Sequence, residues 1–281
     1  MRPTLRLWSL ASTATSTVKF HSIPAPHTGA IGILTLAAPY KNALSLSIVS
    51  DLHATLSTLK FWTSGAYPTD PSSTLRTLII NSDDPSAFCA GANLKERITF
   101  TDDQTAAFLK DLRGVVDRID NLPIPTIAVI EGAALGGGCE LALATTLRLA
   151  SPSALLGLPE TRLGIIPGAG GTLRLKRLLG ESRALDLILT GRKLKAEEAE
   201  KIGLVNRVVP EGESALSAAI EVAKEICRGG PVATVEAIRA VREEDEPGAY
   251  ERVRRTPDRD EGLAAFKEKR GMKFSGKIAR D

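Results

Sequence analysis

Residues 125–145, PTIAVIEGAALGGGCELALAT, constrain the fold more than any other stretch. Thr126-Ile-Ala-Val-Ile130 is short, apolar and rich in β-branched residues, which predicts a buried strand. Gly136-Gly-Gly138 comes next and opens an apolar helix over 140–145. The same alternation continues on both sides. Strands are expected at 31–36, 77–80, 147–150 and 154–158, and a helix capped by Ser45 carries Leu46, Val49, Leu52, Leu56 and Leu59 at helical spacing. Another helical period runs over 103–120 and stops at Pro123 and Pro125. The stretches 61–73 and 83–92 read as loops. Beyond residue 170 helices dominate, at 172–179, 182–190, 196–203, 213–228, 231–242 and near 260–270. Strands with crossovers followed by helices predict an α/β core over 29–210 and a helical C-terminal region over 211–281.

The first 28 residues are set apart by charge. No Asp or Glu precedes Asp51, while Arg2, Arg6 and Lys19 punctuate a Ser/Thr-rich stretch, the composition of a mitochondrial transit peptide. The same composition suits a disordered tail with no address. Without this segment, 33 basic residues face 33 acidic ones, so the formal charge of +3 belongs to it. With the remaining charges balanced and dispersed, no nucleic-acid-binding surface is expected. Apolar runs are broken well before the roughly 18 residues a membrane span needs.

Scarce residue types narrow the chemistry. His21, His27 and His53 all lie in the first fifth of the chain, so a histidine base or a His-rich metal site is not expected. Cys89, Cys139 and Cys227 lack CxxC spacing and fit a reducing compartment better than a disulfide framework. Carboxylates and backbone amides are left. Gly136-x-Gly138 and Gly168-x-Gly170 are followed by Leu141 and Leu173 where a dinucleotide fingerprint needs a small residue, and no GxxxxGK[ST] occurs. A glycine run opening a helix lets a ligand approach the main chain and offers it N–H groups, though close helix–strand packing uses such runs as often. Glu140 sits among Cys139, Leu141, Ala142 and Leu143, and Glu160 follows Pro159. A structural ion pair explains either carboxylate as readily as catalysis does.

AFCAGANLKER (87–97), PTIAVIEGAALGGGCELALA (125–144) and LPETRLGIIPGAGGT (158–172), in this order and spacing, resemble the crotonase (enoyl-CoA hydratase/isomerase) superfamily from about residue 31 onward. The wording is most similar to mitochondrial enoyl-CoA hydratases and methylglutaconyl-CoA hydratases. The resemblance implies a spiral of ββα units with a helical trimerisation region, a homotrimer or dimer of trimers, and a mitochondrial matrix location. It implies an oxyanion hole from the Ala92 and Gly137 amides, catalytic Glu140 and Glu160, and contacts to substrate or CoA from Lys41, Ala90, Lys95, Gly136, Phe266 and Lys269. Phe266 and Lys269 could serve a neighbouring subunit. No cofactor or metal is implied, because CoA is part of the substrate. Two glutamates favour hydration over isomerisation, which in this family generally uses one. The alternatives are a hydratase specific for methylglutaconyl-CoA, an enoyl-CoA isomerase, and an acyl-CoA-binding scaffold without activity. Asn93, Thr145-Thr146 and Leu173 depart from the usual pattern and are expected to alter the pocket, and 242–250 looks about one helix shorter than in similar proteins.

Overall fold

The computed structural model describes residues 16–63 and 65–278. Its strands are β1 (Val18–Pro24), β2 (Ala30–Leu36), β3 (Leu75–Ser82), β4 (Ala87–Cys89), β5 (Thr126–Ile130), β6 (Ala133–Leu135), β7 (Leu147–Ala150), β8 (Leu155–Gly157), β9 (Lys193–Lys195) and β10 (Arg207–Val208). One sheet runs β1-β2-β3-β5-β7-β10 and the other β4-β6-β8-β9. The consecutive pairs β3–β4, β5–β6 and β7–β8 each give one strand to each sheet, so the chain winds as a spiral. Within that spiral β3, β5 and β7 are parallel neighbours, and so are β4, β6 and β8.

The longer helices are α1 (Leu46–Thr58), α2 (Asp102–Asp120), α3 (Gly137–Leu143), α4 (Gly171–Leu179), α5 (Glu181–Thr190), α6 (Ala215–Cys227), α7 (Pro231–Glu243), α8 (Glu246–Arg254) and α9 (Pro257–Glu268). Ser45 accepts a bond from the Ile48 amide and caps α1, and Thr101 with Gln104 forms a reciprocal capping box at α2. The alternation of β2 divides the core. Leu34 and Leu36 join Leu52, Leu78, Val115 and Leu141 on one face. Ile31 and Ile33 join Ile79, Ile127 and Val129 on the other, where Ala215, Ala219, Ala223 and Cys227 of α6 cover them. Both faces of the central strands are buried, which is why β5 is buried throughout and apolar after Thr126.

Three regions depart from the expected elements. First, a strand, β1, precedes residue 29, the expected start of the core. Val18 through Pro24 pair antiparallel with Leu36 through Ala30, the Thr17 amide and hydroxyl both donate to Asp51, and Lys19 pairs with Asp83 at 2.9 Å. An acid-free stretch reads as a leader, but VKFHSIP is the first strand of a hairpin completed by β2. Residues 1–15, with Arg2 and Arg6, lie outside the described residues. Second, the 61–73 loop is anchored, because Trp62 is fully buried and its amide donates to Leu75. Third, α8 is a helix beyond those expected at 231–242 and near 260–270, and only Glu244 and Asp245 separate it from α7. Asp245 caps it through the Gly248 amide, so the acidic run is a helix joint. Among the described residues no helix is long and apolar enough to cross a membrane.

A chain beginning at Ser16 keeps β1 and serves as the reference. One beginning at Gly29 loses β1 and leaves the β2 edge unpaired, and should melt roughly 5 °C or more lower. Equal melting temperatures for the two truncations would contradict the assignment of β1 to the fold.

Candidate active site

Parallel neighbours β4, β6 and β8 end side by side, and the candidate residues follow their last residues. The turn after β4 carries Ala90, Gly91 and Ala92, the exit of β6 carries Gly136 and Gly137, and the exit of β8 carries Glu160 in a short 3-10 turn. Clefts at the carboxyl ends of parallel strands are general ligand positions. Here backbone contact closes the gap between turns. Gly91 has φ +96°, and a Cβ there would lie 2.7 Å from the Leu135 carbonyl oxygen and 3.7 Å from the Gly137 nitrogen. A Cβ on Gly138 would lie 2.1 Å from the Cys89 carbonyl oxygen. Only hydrogen fits at either position, so the glycines are needed for the approach of α3 to β4.

The Ala92 and Gly137 amides are brought into one neighbourhood. Leu44 donates to the Gly91 carbonyl at 2.7 Å and accepts from Asn93 at 3.0 Å, which passes over Ala92. Gly137 is the first residue of α3, where amides have no intrahelical acceptor. Among the described residues neither amide has a hydrogen-bond acceptor in the protein.

Both carboxylates face this pair of turns. A Cβ on Gly136, which has φ +52°, would lie 3.0 Å from Glu160 Oε1, and one on Gly137 would lie 3.9 Å from Glu140 Oε2. Glu140 is 2% exposed and Glu160 8%. Their surroundings differ. The amides of Ala169 and Gly171 donate to Glu140 Oε1 at 2.8 and 2.7 Å. Glu160 Oε2 is buried without a partner. Burial raises Glu140 above the usual carboxylate range, opposed by the Gly171 and Ala169 amides and then by the charges of Arg174 and Arg113. Burial pushes Glu160 up to about 7, its own backbone amide pulls the other way, and the Glu140 charge adds to the rise. Cys139 is pushed up to about 12, chiefly by burial, and stays a neutral thiol.

Of the remaining expected contacts, Lys41, Ala90 and Lys95 come together. The Ala90 amide donates to the Lys41 carbonyl at 3.0 Å, and Lys95 Nζ lies 5.5 Å from the Tyr40 ring centroid. Lys41 is exposed. Phe266 and Lys269 are exposed on and just after α9, and among the described residues no hydrogen bond, ion pair or ring contact joins them to this cluster. The departures in sequence are placed away from the glycine run or used structurally. The Thr145 hydroxyl donates to the Leu147 carbonyl and the Thr146 hydroxyl accepts from the Thr126 amide, tying down the C-terminal end of α3, Leu173 is 73% exposed, and Asn93 accepts from the Glu96 amide.

Two residues that sequence reasoning missed build the site. Tyr40, Lys41 and Asn42 form a left-handed turn with φ of 57°, 61° and 55°. Buried Asn42 holds it by accepting from the Ala38 amide and donating to Ser82 Oγ and the Phe88 carbonyl. Asn is among the few residues that tolerate this conformation, which was the available signal. Arg174, 8% exposed, donates to the Ala169 carbonyl at 3.0 Å and pairs with Asp117 and Asp120 on α2.

The family model described as enoyl-CoA hydratase/isomerase matches residues 27–277. An enoyl-CoA isomerase/hydratase of Zymoseptoria tritici is 47% identical over 279 residues, covering 93% of this chain and 89% of that protein. The mitochondrial methylglutaconyl-CoA hydratase of Mus musculus is 43% identical, covering 84% of this chain and 76% of that protein. The crystal structure of an enoyl-CoA hydratase from Bacillus anthracis matches with a TM-score of 0.81 at 38% identity, covering 96% of this chain and 99% of that one.

Glu160 binds its proton more tightly in the folded chain than its ordinary value of 4.5, so its contribution to stability is full below 4.5 and is lost as pH rises through about 7. Glu160→Gln removes that titration. Its melting temperature should therefore gain on the wild type between pH 5 and pH 8. A constant difference across that range would contradict a raised Glu160.

Proposed function

The chain belongs to the enoyl-CoA hydratase/isomerase family, and from that premise we propose that it adds water across the C2=C3 bond of a trans-2-enoyl-CoA thioester to give the 3-hydroxyacyl-CoA. The observation that carries this reading is the unequal pair of buried carboxyls beside one glycine run. Two amides favour the charged form of Glu140, while Glu160 is held near neutrality with an unpartnered oxygen.

The thioester oxygen would sit between the Ala92 and Gly137 N–H groups. As the water oxygen bonds to C3, the C2=C3 electrons move toward the thioester and charge grows on that oxygen. Donors already in place stabilise the enolate better than the ground state. Removing one such donor typically costs roughly 2.7–4 kcal/mol of barrier. Ionised Glu140 takes the proton from the attacking water, and protonated Glu160 delivers one to C2. Atoms and charge balance: water is added, one carboxyl gains a proton and the other loses one, and exchange with solvent resets the pair. Opposite protonation of two neighbouring carboxyls is what their environments favour.

Lys41, Ala90, Lys95 and Tyr40 form the surface proposed to receive CoA, beside Ala92. Phe266 and Lys269 are assigned to the site of a neighbouring subunit in a homotrimer or dimer of trimers. Leu163, Ile166, Leu173 and Leu189 are 58%, 70%, 73% and 67% exposed, apolar surface that such an assembly would cover. Relatives named methylglutaconyl-CoA hydratase support the alternative of a branched substrate of leucine breakdown, and relatives named enoyl-CoA hydratase the general one. The name isomerase/hydratase on the Zymoseptoria relative supports a second activity, isomerisation of the double bond by a single carboxylate. The acid-free N-terminus and mitochondrial relatives support import to the matrix, with the address before Val18.

Purified protein should hydrate a trans-2-enoyl-CoA from a panel graded by length and branching. Glu140→Gln and Glu160→Gln should each lower turnover by roughly 10²-fold or more. In wild type, kcat/KM should fall on the alkaline side as pH rises through about 7 and Glu160 loses its proton. Wild-type protein inert toward the whole panel would favour a scaffold, and release of free CoA thiol would show a hydrolase.

A further inference from the structure

We propose that Arg174 is a positioning residue, which from α4 holds the 167–171 loop closed on Glu140 so that the loop's two amides stay on Oε1 through turnover. The role rests on the hydratase reading above, and the contacts do not. Its guanidinium spends one donor on each of three directions: Nε on Asp120 at 2.9 Å, Nη2 on Asp117 at 2.6 Å and Nη1 on the Ala169 carbonyl at 3.0 Å. The same Ala169 gives its amide to Glu140 at 2.8 Å. A fully buried residue is thus gripped by the arginine through its carbonyl and by the base through its N–H. The grip leaves no room for a side chain between them, since Gly170 has φ +93° and a Cβ there would lie 2.2 Å from Nη1.

Charge alone does not explain the arrangement. A guanidinium 8% exposed needs partners, and Asp117 and Asp120 supply them from α2. The Arg174 charge favours ionised Glu140 less than the Gly171 and Ala169 amides do, so the loop geometry that places those amides is the larger part of its effect. The other ionisable groups facing Glu140 are Glu160, which opposes its ionisation, Cys139 on its own helix, which stays neutral, and Arg113 of α2. Arg113 also holds the loop, through the Gly168 carbonyl. A planar fork is required at position 174, because one ammonium cannot fill three directions.

Arg174→Lys tests this. Loss of the loop amides disfavours ionised Glu140, so the acid limb of the kcat profile should move to higher pH. We expect kcat to fall about 10- to 100-fold from the misplaced base, with KM little changed. Amide hydrogen exchange of Ala169 and Gly171 should accelerate. Asp117→Asn, on an exposed partner, should move both readouts the same way by less, and it replaces Arg174→Lys should that variant fail to fold. A folded Arg174→Lys with an unmoved acid limb and wild-type exchange would overturn the proposal. So would activity lost only in proportion to unfolded protein. Wild type inert toward every enoyl-CoA would defeat the hydratase reading instead, and the exchange rates would then decide the loop contact by themselves.

Discussion

A carboxylate with 2% of its surface exposed must find donors or take up a proton. Two amides on Glu140 Oε1 meet that requirement, and much of the site's structure serves their placement. The loop that carries them needs Gly170 in a left-handed conformation, two arginines on its carbonyls, and α2 to pair one of those arginines. Glu160 has no such provision for Oε2 and moves toward neutrality. Burial raises both carboxyls, but two loop amides oppose the rise at Glu140, so residues of one type are held unequally. No third titrating side chain is needed.

That placement follows from the spiral. Each turn of chain puts one strand in each sheet, so the ends of β4, β6 and β8 become neighbours although they are far apart in sequence, Ala87 pairing with Ala133 and Ala133 with Leu155. Gly91 and Gly138 then let two turns approach to backbone contact, which sets the Ala92 and Gly137 amides together. The fold supplies the electrophile's binding groups without spending a side chain on them. It also frees the rims for recognition, where Tyr40, Lys41 and Lys95 lie exposed.

Much of this was legible in the sequence for physical reasons. Glu140 and Glu160 stand out because a carboxylate amid Cys139, Leu141 and Leu143, or directly after a buried strand, must be explained. The helices of the last third have clear 3.6-residue periods. What stayed hidden depended on partners distant in sequence. β1 looks like a leader until β2 is set beside it. The left-handed turn at 40–42 exists only because Asn42 finds Ser82 and Phe88 some forty residues away. Arg174 is one of many arginines until α2 is packed against α4. The helix that starts at Glu246 was not among those expected, and its cap, Asp245 accepting from the Gly248 amide, shows only in the folded chain.

The central claim is that Glu140 ionises before Glu160. Carbon NMR titration of the two side-chain carboxyls, assigned with Glu140→Gln and Glu160→Gln, measures the order directly. Glu160 should hold its proton to about pH 7 while Glu140 loses its own at lower pH. The reverse order, or two carboxyls both ionised well below pH 7, would contradict it.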